Sequence, residues 1–198
     1  MLLDYSNDAG IDASLFVSRG EVSRSGHATE ADWGAALQLA VDDHLLAGVS
    51  LVSDLADADS ELLEGVDDGG HYARRVPGLA SYLVMGAGAF ELSLELVTAV
   101  STFHELPADR DRPLAWNLEV GHDFLEHAAW ALRLEGSREL EDAPYLQTGL
   151  ALSWRFEERL GVTLEYLYGR YREALAGDDG GNPLHASRLL AVQASVAL

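Results

Sequence analysis

The chain has 198 residues, 48% of them hydrophobic, and its 33 acidic residues outnumber 13 basic ones to give a formal net charge of −20. Such an acidic chain repels phosphate backbones, which excludes nucleic acid as a partner, and the absence of cysteine excludes thiol catalysis, disulfides and zinc–thiolate sites. No run of about 18 apolar residues occurs, so a transmembrane helix is excluded, and the chain could cross a membrane only as a closed β-barrel.

The first residues predict the remnant of a strand and a turn. Residues 1–5 (Met-Leu-Leu-Asp-Tyr) read as the end of a β-strand, and residues 6–10 (Ser-Asn-Asp-Ala-Gly) have the composition of a turn. The segment lacks the basic start and long apolar run of a secretory signal peptide. We therefore expect that the chain begins inside a larger barrel and that its front has been lost.

The remainder of the chain alternates large apolar residues with small or polar ones at a period of two, which predicts β-strands. Between Leu114 and Asp123, for example, leucine, tryptophan and valine occupy the even positions, while Asn117 and Glu119 occupy odd ones. About ten strands are predicted, each near the length that a tilted strand needs to cross a bilayer. They span residues 13–23, 32–41, 45–55, 78–88, 90–96, 114–123, 128–135, 146–155, 162–169 and 189–198.

The connections between these strands alternate between long and short. Outer-membrane barrels have short periplasmic turns and longer external loops, whereas a soluble up-and-down barrel has no reason to sort its loops by side. The pattern therefore predicts a single all-β domain over residues 1–198, an antiparallel up-and-down transmembrane β-barrel. Residues 24–31, 56–77, 104–113 and 173–186 form long connections, 138–144 an intermediate one, and 42–44, 88–89, 124–127 and 157–160 short ones.

The two faces of the predicted strands differ in chemistry. One face is rich in Leu, Val and Trp and suits lipid, while the other carries Gly, Ala, Ser and single charges and suits a wet lumen. A soluble barrel would turn these faces the other way, with the apolar one inside. The predicted lumen-lining and solute-contacting residues are Glu95, Asn117, Glu119, Arg133, Glu135, Gln147, Arg155 and Glu165.

These charges admit two interpretations. They could set the ion and solute selectivity of a pore, as rings of charged side chains do in channels. Each could instead pair with a neighbour across the strands and simply fill the lumen. Phe90, Phe124 and Phe156 lie at short turns, where an interfacial aromatic girdle is expected.

Three segments carry a resemblance to a known family. They are residues 76–90 (VPGLASYLVMGAGAF), residues 113–123 (PLAWNLEVGHD) and residues 160–171 with the motif Leu164-Glu165-Tyr166. Here, and in residues 11–17 (IDASLFV), the chain resembles the C-terminal barrel of the LbtU-type siderophore porin family, outer-membrane proteins of Gram-negative bacteria. The resemblance implies an outer-membrane location and uptake of a ferric siderophore or a related small solute.

The chain departs from this family at both ends. Members carry a signal peptide and further N-terminal sequence, and their last residue is usually aromatic, whereas this chain ends in Leu198. The first departure suggests truncation, and the second puts efficient assembly in doubt. A barrel of about ten strands is also narrow, so a bulky ferric siderophore would pass only if further strands widened it.

Other candidate sites are weaker. The acidic loop around residues 54–68 could hold Ca²⁺, but the glycine of a calcium-binding loop is not at its required place, and the segment reads as a solvated external loop. His122, Glu126 and His127 lie around a short turn without the helical geometry of a zinc site, so no metal or other cofactor is expected. No nucleophile elbow, phosphate-binding loop or dinucleotide fingerprint occurs, and no enzymatic activity is expected.

The sequence thus predicts a porin or channel of the cell outer membrane, surrounded by lipid, through which small solutes diffuse. Two alternatives stay open. One is a soluble β-barrel that binds a small ligand in an apolar cavity. The other is a structural membrane anchor whose narrow barrel is filled by its own side chains.

Overall fold

The protein is built almost entirely from β-strands. The computed structural model describes residues 1–20, 23–24, 31–42, 44–58, 71–72, 74–156, 160–173, 175–176 and 183–196. The strands are β1 Leu2–Ser6, β2 Ile11–Arg19, β3 Ser23–Arg24, β4 Ala31–Val41, β5 Leu45–Val52, β6 His71–Tyr72, β7 Gly78–Ala87, β8 Phe90–Ala99, β9 Leu114–Leu125, β10 Ala128–Arg138, β11 Leu146–Phe156, β12 Leu160–Arg170 and β13 Ala186–Val196, and a single helical turn, α1, spans Leu55–Ala58.

Eleven strands form one sheet in the order β1-β2-β4-β5-β7-β8-β9-β10-β11-β12-β13. Each long strand therefore lies beside the next long strand along the chain, and the registered pairs are antiparallel. This up-and-down order confirms the predicted fold class. The segment read as the end of a strand is β1, which pairs with β2 from Leu2 to Ser6.

Two compact units divide the chain. The first comprises Met1–Leu83 and Leu96–Leu114, and the second comprises Val84–Glu95 and Ala115–Leu198. Strands β7, β8 and β9 thus contribute residues to both units. The assignment of residues 1–198 to a single domain stays a prediction.

In the second unit, cross-strand register sorts the side chains into an apolar face and a polar face. Leu132 pairs with Leu150, Leu150 with Tyr166 and Tyr166 with Leu190, so one row of large apolar side chains crosses β10 to β13. These four residues are 51%, 42%, 44% and 66% exposed, respectively. The apolar face is therefore the outward one, the opposite of a soluble barrel, which buries its apolar side chains.

The first unit shows the same outward apolar face. Leu37 on β4 pairs with Val49 on β5, and these side chains are 50% and 43% exposed. The next residue along β4, Gln38, pairs with Gly48 on the other face and is half-buried. Because the side-chain period of a strand is two, the alternation read from the sequence fixes which residues share a face.

The turns after β1 and after β7 lie at the predicted places, whereas most of the predicted turn 157–160 lies outside the described residues. The turn between β1 and β2 is held by Asn7, whose side-chain oxygen accepts from the amides of Ala9 at 3.0 Å and Ile11 at 3.1 Å. Gly10 completes it with φ of 76°, in the left-handed region that favours glycine. Gly88, with φ of 63°, plays the same part between β7 and β8.

The buried apolar side chains of the first unit lie at the end of its strands where the long connections are. Ala56, Val76, Ala99 and Phe103 form a buried cluster, against which Leu55 and Leu106 pack. Predicted strand 45–55 ends earlier than expected, at Val52, because the Asp54 carboxylate accepts from the Ala56 amide at 3.2 Å and starts α1.

Predicted strand 13–23 corresponds to β2, which begins at Ile11 and ends earlier than predicted, at Arg19. The two-residue β3, which pairs in parallel with β6, was not predicted. This small ladder joins the connection after β2 to the connection after β5.

Among the described residues, no helix is long and apolar enough to span a membrane.

Candidate functional site

The polar face of the second unit is organised around Arg133. The guanidinium Nε of Arg133, on β10, donates to the Glu119 carboxylate of β9 at 2.9 Å. Its Nη1 lies 3.5 Å from the Glu165 carboxylate of β12. The three side chains are only 29–36% exposed. One guanidinium thus bridges two carboxylates that come from strands on either side of it.

A glycine lies opposite Arg133 on the neighbouring strand. Arg133 pairs in register with Gly149 on β11, and Glu165 lies beyond β11 on the next strand. A Cβ atom added at Gly149 would lie 3.3 Å from Arg133 Cβ and 2.8 Å from Leu167 Cδ2. The Leu167 side chain thus packs over Gly149, where a larger residue would displace it.

Two further polar contacts lie on the same face. Gln147 Nε2 donates to Glu135 Oε1 across the registered pair of β10 and β11. Ser153 and Thr163 share a hydrogen bond of 3.0 Å across β11 and β12. Cross-strand pairs of this kind stabilise a sheet and leave its polar face hydrophilic.

The structure therefore joins five of the eight predicted lumen residues into two networks, the Arg133 bridge and the Glu135–Gln147 pair. Glu95 is exposed on β8, and Asn117 is half-buried on β9 with a buried side-chain oxygen that accepts no hydrogen bond from the described residues. Arg155 is exposed and lines a cavity described next. Their contact with a solute stays a prediction.

Two adjoining cavities lie on the second unit near its short turns. The larger, of about 640 Å³, is lined by Arg155 and Thr163, and the smaller, of about 190 Å³, by Glu91. Asp123 and Ser153 line both. Glu91 and Asp123 were not among the predicted site residues, although each lies an even number of positions from a predicted one, Glu95 and Glu119 respectively, and so shares its face.

The first unit has its own polar chain, which the sequence did not predict. The Tyr82 hydroxyl of β7 donates to Gln38 Oε1 of β4, and Gln38 Nε2 lies 3.4 Å from Asp12 Oδ2 of β2. The Tyr82 ring lies over Gly48 of β5, because a Cβ atom there would be 2.4 Å from the ring. An aromatic ring packed over a glycine is a common way to stabilise a curved sheet.

A buried ionic cluster lies between the segment before β7 and the start of β4. Arg75 Nη2 lies 3.0 Å from Asp32 Oδ1, and Arg75 Nε lies 3.9 Å from Asp54 Oδ2. The Ser53 hydroxyl donates to the same Asp32 oxygen at 3.0 Å, and Arg75 also donates to the Ala31 carbonyl. Asp32 and Asp54 are 6% and 3% exposed. The cluster ties the segment that enters β7 to the start of β4.

The weaker sequence candidates have different positions. Most of the acidic loop 54–68 lies outside the described residues, and Asp54 belongs to the buried cluster with Arg75. The His122 ring lies 4.1 Å from the Phe90 ring and stacks on Trp130 at 5.7 Å, measured between centroids, while Glu126 and His127 line the larger cavity. No group of three potential metal ligands converges in the part of the chain that the structure describes.

Exposed aromatic side chains surround the short turns. Phe90, Phe124, Trp154 and Phe156 are all exposed, and the Trp154 and Phe156 rings lie 6.4 Å apart. Phe90, Phe124 and Phe156 are the residues for which the sequence predicts an aromatic girdle. In membrane barrels such rings lie at the level of the lipid headgroups.

Comparison with known proteins identifies the fold. No protein-family model and no curated protein matches the chain. Among solved structures the chain is similar to one described as a NanC porin in a rhombohedral crystal form, with a TM-score of 0.50 and 12% sequence identity. The likeness covers 100% of this chain and 91% of that one. The chain therefore has a porin-like β-barrel fold, and the resemblance to LbtU-type porins stays a prediction.

Proposed function

We propose that this protein is a channel of the bacterial outer membrane through which small solutes diffuse passively. The observation that carries the proposal is the exposure of the apolar face. Rows such as Leu132–Leu150–Tyr166–Leu190 present large apolar side chains outward, while charged side chains between them turn to the other face. In water such rows would cost free energy at every residue, whereas in lipid they are the expected surface of a barrel.

The dimensions of the strands support the same proposal. Strands β7 to β13 have 10 to 12 residues each. A tilted strand needs about 9–11 residues to cross the hydrocarbon of a bilayer. Antiparallel pairing also satisfies the backbone amides internally, which is required of any segment in contact with lipid. The porin-like fold is consistent with this role.

The polar face would then line the lumen. Its carboxylates, guanidinium groups, amides and hydroxyls are hydrophilic, as in the hydrated lumen of a channel, so passive diffusion is the proposed activity. The resemblance noted in the sequence makes a ferric siderophore the candidate solute. A soluble ligand-binding barrel, the alternative reading, requires an apolar interior, which the outward apolar rows oppose.

Reconstitution tests the proposal. The purified protein, refolded in detergent and added to a planar phospholipid bilayer, is expected to insert and produce discrete steps of ionic conductance, because a hydrated lumen conducts salt. A structural anchor filled by its own side chains would insert without conductance. A protein that stays monodisperse in water without detergent, and does not insert, would contradict the outer-membrane assignment.

A further inference from the structure

The polar face of the second unit carries an unequal set of charges. Among the described residues of that unit, the side chains on this face include six carboxylates but only two guanidinium groups. Arg133 is already engaged by two of those carboxylates, so it offers little positive potential to an ion passing by. The carboxylates are Glu91, Glu95, Glu119, Asp123, Glu135 and Glu165, and the guanidinium groups are Arg133 and Arg155.

We propose that the channel passes cations and basic solutes in preference to anions, and that Arg133, held between Glu119 and Glu165, limits the strength of that preference. The inference rests on the proposed channel function and names its substrate class. A confined, low-dielectric passage lined by one sign of charge concentrates counter-ions and excludes co-ions. Small ammonium- or guanidinium-bearing solutes are favoured, and ferric complexes of net negative charge are disfavoured.

The geometry assigns opposite effects to the partners in the bridge. Replacing Glu119 or Glu165 with glutamine removes a negative charge, so the preference for cations falls. Replacing Arg133 with glutamine frees both carboxylates, so the preference rises. A unit charge roughly 8 Å from an ion in water changes the local concentration of a monovalent ion about 2.4-fold, in opposite directions for cations and anions. The permeability ratio should therefore change about twofold per charge when a Debye length of about 10 Å screens the interaction, and up to about sixfold without screening.

The experiment measures the reversal potential of the channel in a planar bilayer under a KCl gradient, at an ionic strength near 0.1 M, where the Debye length is about 10 Å. The wild-type potential should have the sign of K⁺ selectivity. E119Q and E165Q should shift it towards zero, and R133Q should shift it away from zero. D109N, which removes an exposed carboxylate from the connection after β8, is the matched control and should leave the potential near the wild-type value.

R133K is the control that separates an effect of charge from a folding defect. Lysine lacks the guanidinium fork but preserves the positive charge, so its reversal potential should match that of the wild type. A conducting wild-type channel with Cl⁻ selectivity or none would overturn the inference while leaving the channel function intact. So would a shift of the same sign for E119Q and R133Q. A complete lack of conductance would overturn the channel function and the selectivity together.

Discussion

Replacing Leu132 with arginine is expected to lower the free energy of unfolding in phospholipid vesicles by about 2–4 kcal/mol, the cost of a guanidinium on the lipid side of a barrel near the bilayer midplane. Leu132 lies near the middle of β10, is 51% exposed and belongs to the outward row with Leu150 and Tyr166. If that row meets lipid, the new charge must be desolvated or must distort the bilayer around it. Equilibrium unfolding by guanidinium chloride in vesicles gives the free energy.

The neighbouring residue supplies the matched control. Ala131 precedes Leu132 on the same strand and lines the smaller cavity on the polar face, together with Glu91 and Asp123. Arginine at Ala131 would find space and carboxylates there, so A131R should change the free energy of unfolding by less than about 1 kcal/mol. If L132R and A131R lose equal free energy of unfolding, or A131R loses more, the assignment of the apolar face to lipid and of the polar face to the lumen is contradicted.

Replacing Arg75 with glutamine is expected to destabilise the first unit by about 3–5 kcal/mol, the usual effect of removing one partner from a buried ion pair. Arg75 lies 3.0 Å from Asp32, and both Asp32 and Asp54 are almost fully buried. Glutamine cannot neutralise either carboxylate, so two buried negative charges would lose their common cation. We expect faster proteolysis of the connection between β5 and β7, together with a lower unfolding midpoint.

Arg74 provides the control for this change, because it is the adjacent residue and is exposed. R74Q should alter the unfolding free energy by no more than about 0.5 kcal/mol, as is usual for a surface substitution. Adding D32N to R75Q should recover part of the lost stability, since it removes one of the two buried charges that Arg75 contacts. If R75Q is as stable and as protease-resistant as R74Q, the buried cluster does not stabilise the first unit.

The strands could be predicted because their two faces differ in chemistry. From Leu114 to the end of β12 the apolar and polar positions alternate cleanly, and the predicted strands agree with the observed ones within about three residues, the usual uncertainty of boundaries. The pattern also predicted which side chains share a face, and hence that Glu119, Arg133 and Glu165 lie on the same one. Their partners could not be predicted, because register between strands is set by tertiary packing.

The remaining features depend on contacts between distant parts of the chain. The Tyr82 hydroxyl reaches Gln38 across Gly48, and Arg75 reaches Asp32, and neither pair leaves a periodic signal in the sequence. The ladder of β3 and β6 is too short to carry a pattern. Glu91 and Asp123, in contrast, could have been found, since the same alternation that selected Glu95 and Glu119 also places them on the polar face.

The most direct test of the central claim is to measure what each side of β11 contacts. The chain has no cysteine, so a single introduced cysteine can carry a nitroxide label at a chosen position. In vesicles, labels at Leu150 and Leu152 should be relaxed mainly by oxygen, which concentrates in lipid. Labels at Ala151 and Ser153 should be relaxed mainly by a water-soluble nickel complex. A reversed alternation, or none, would contradict the outer-membrane channel.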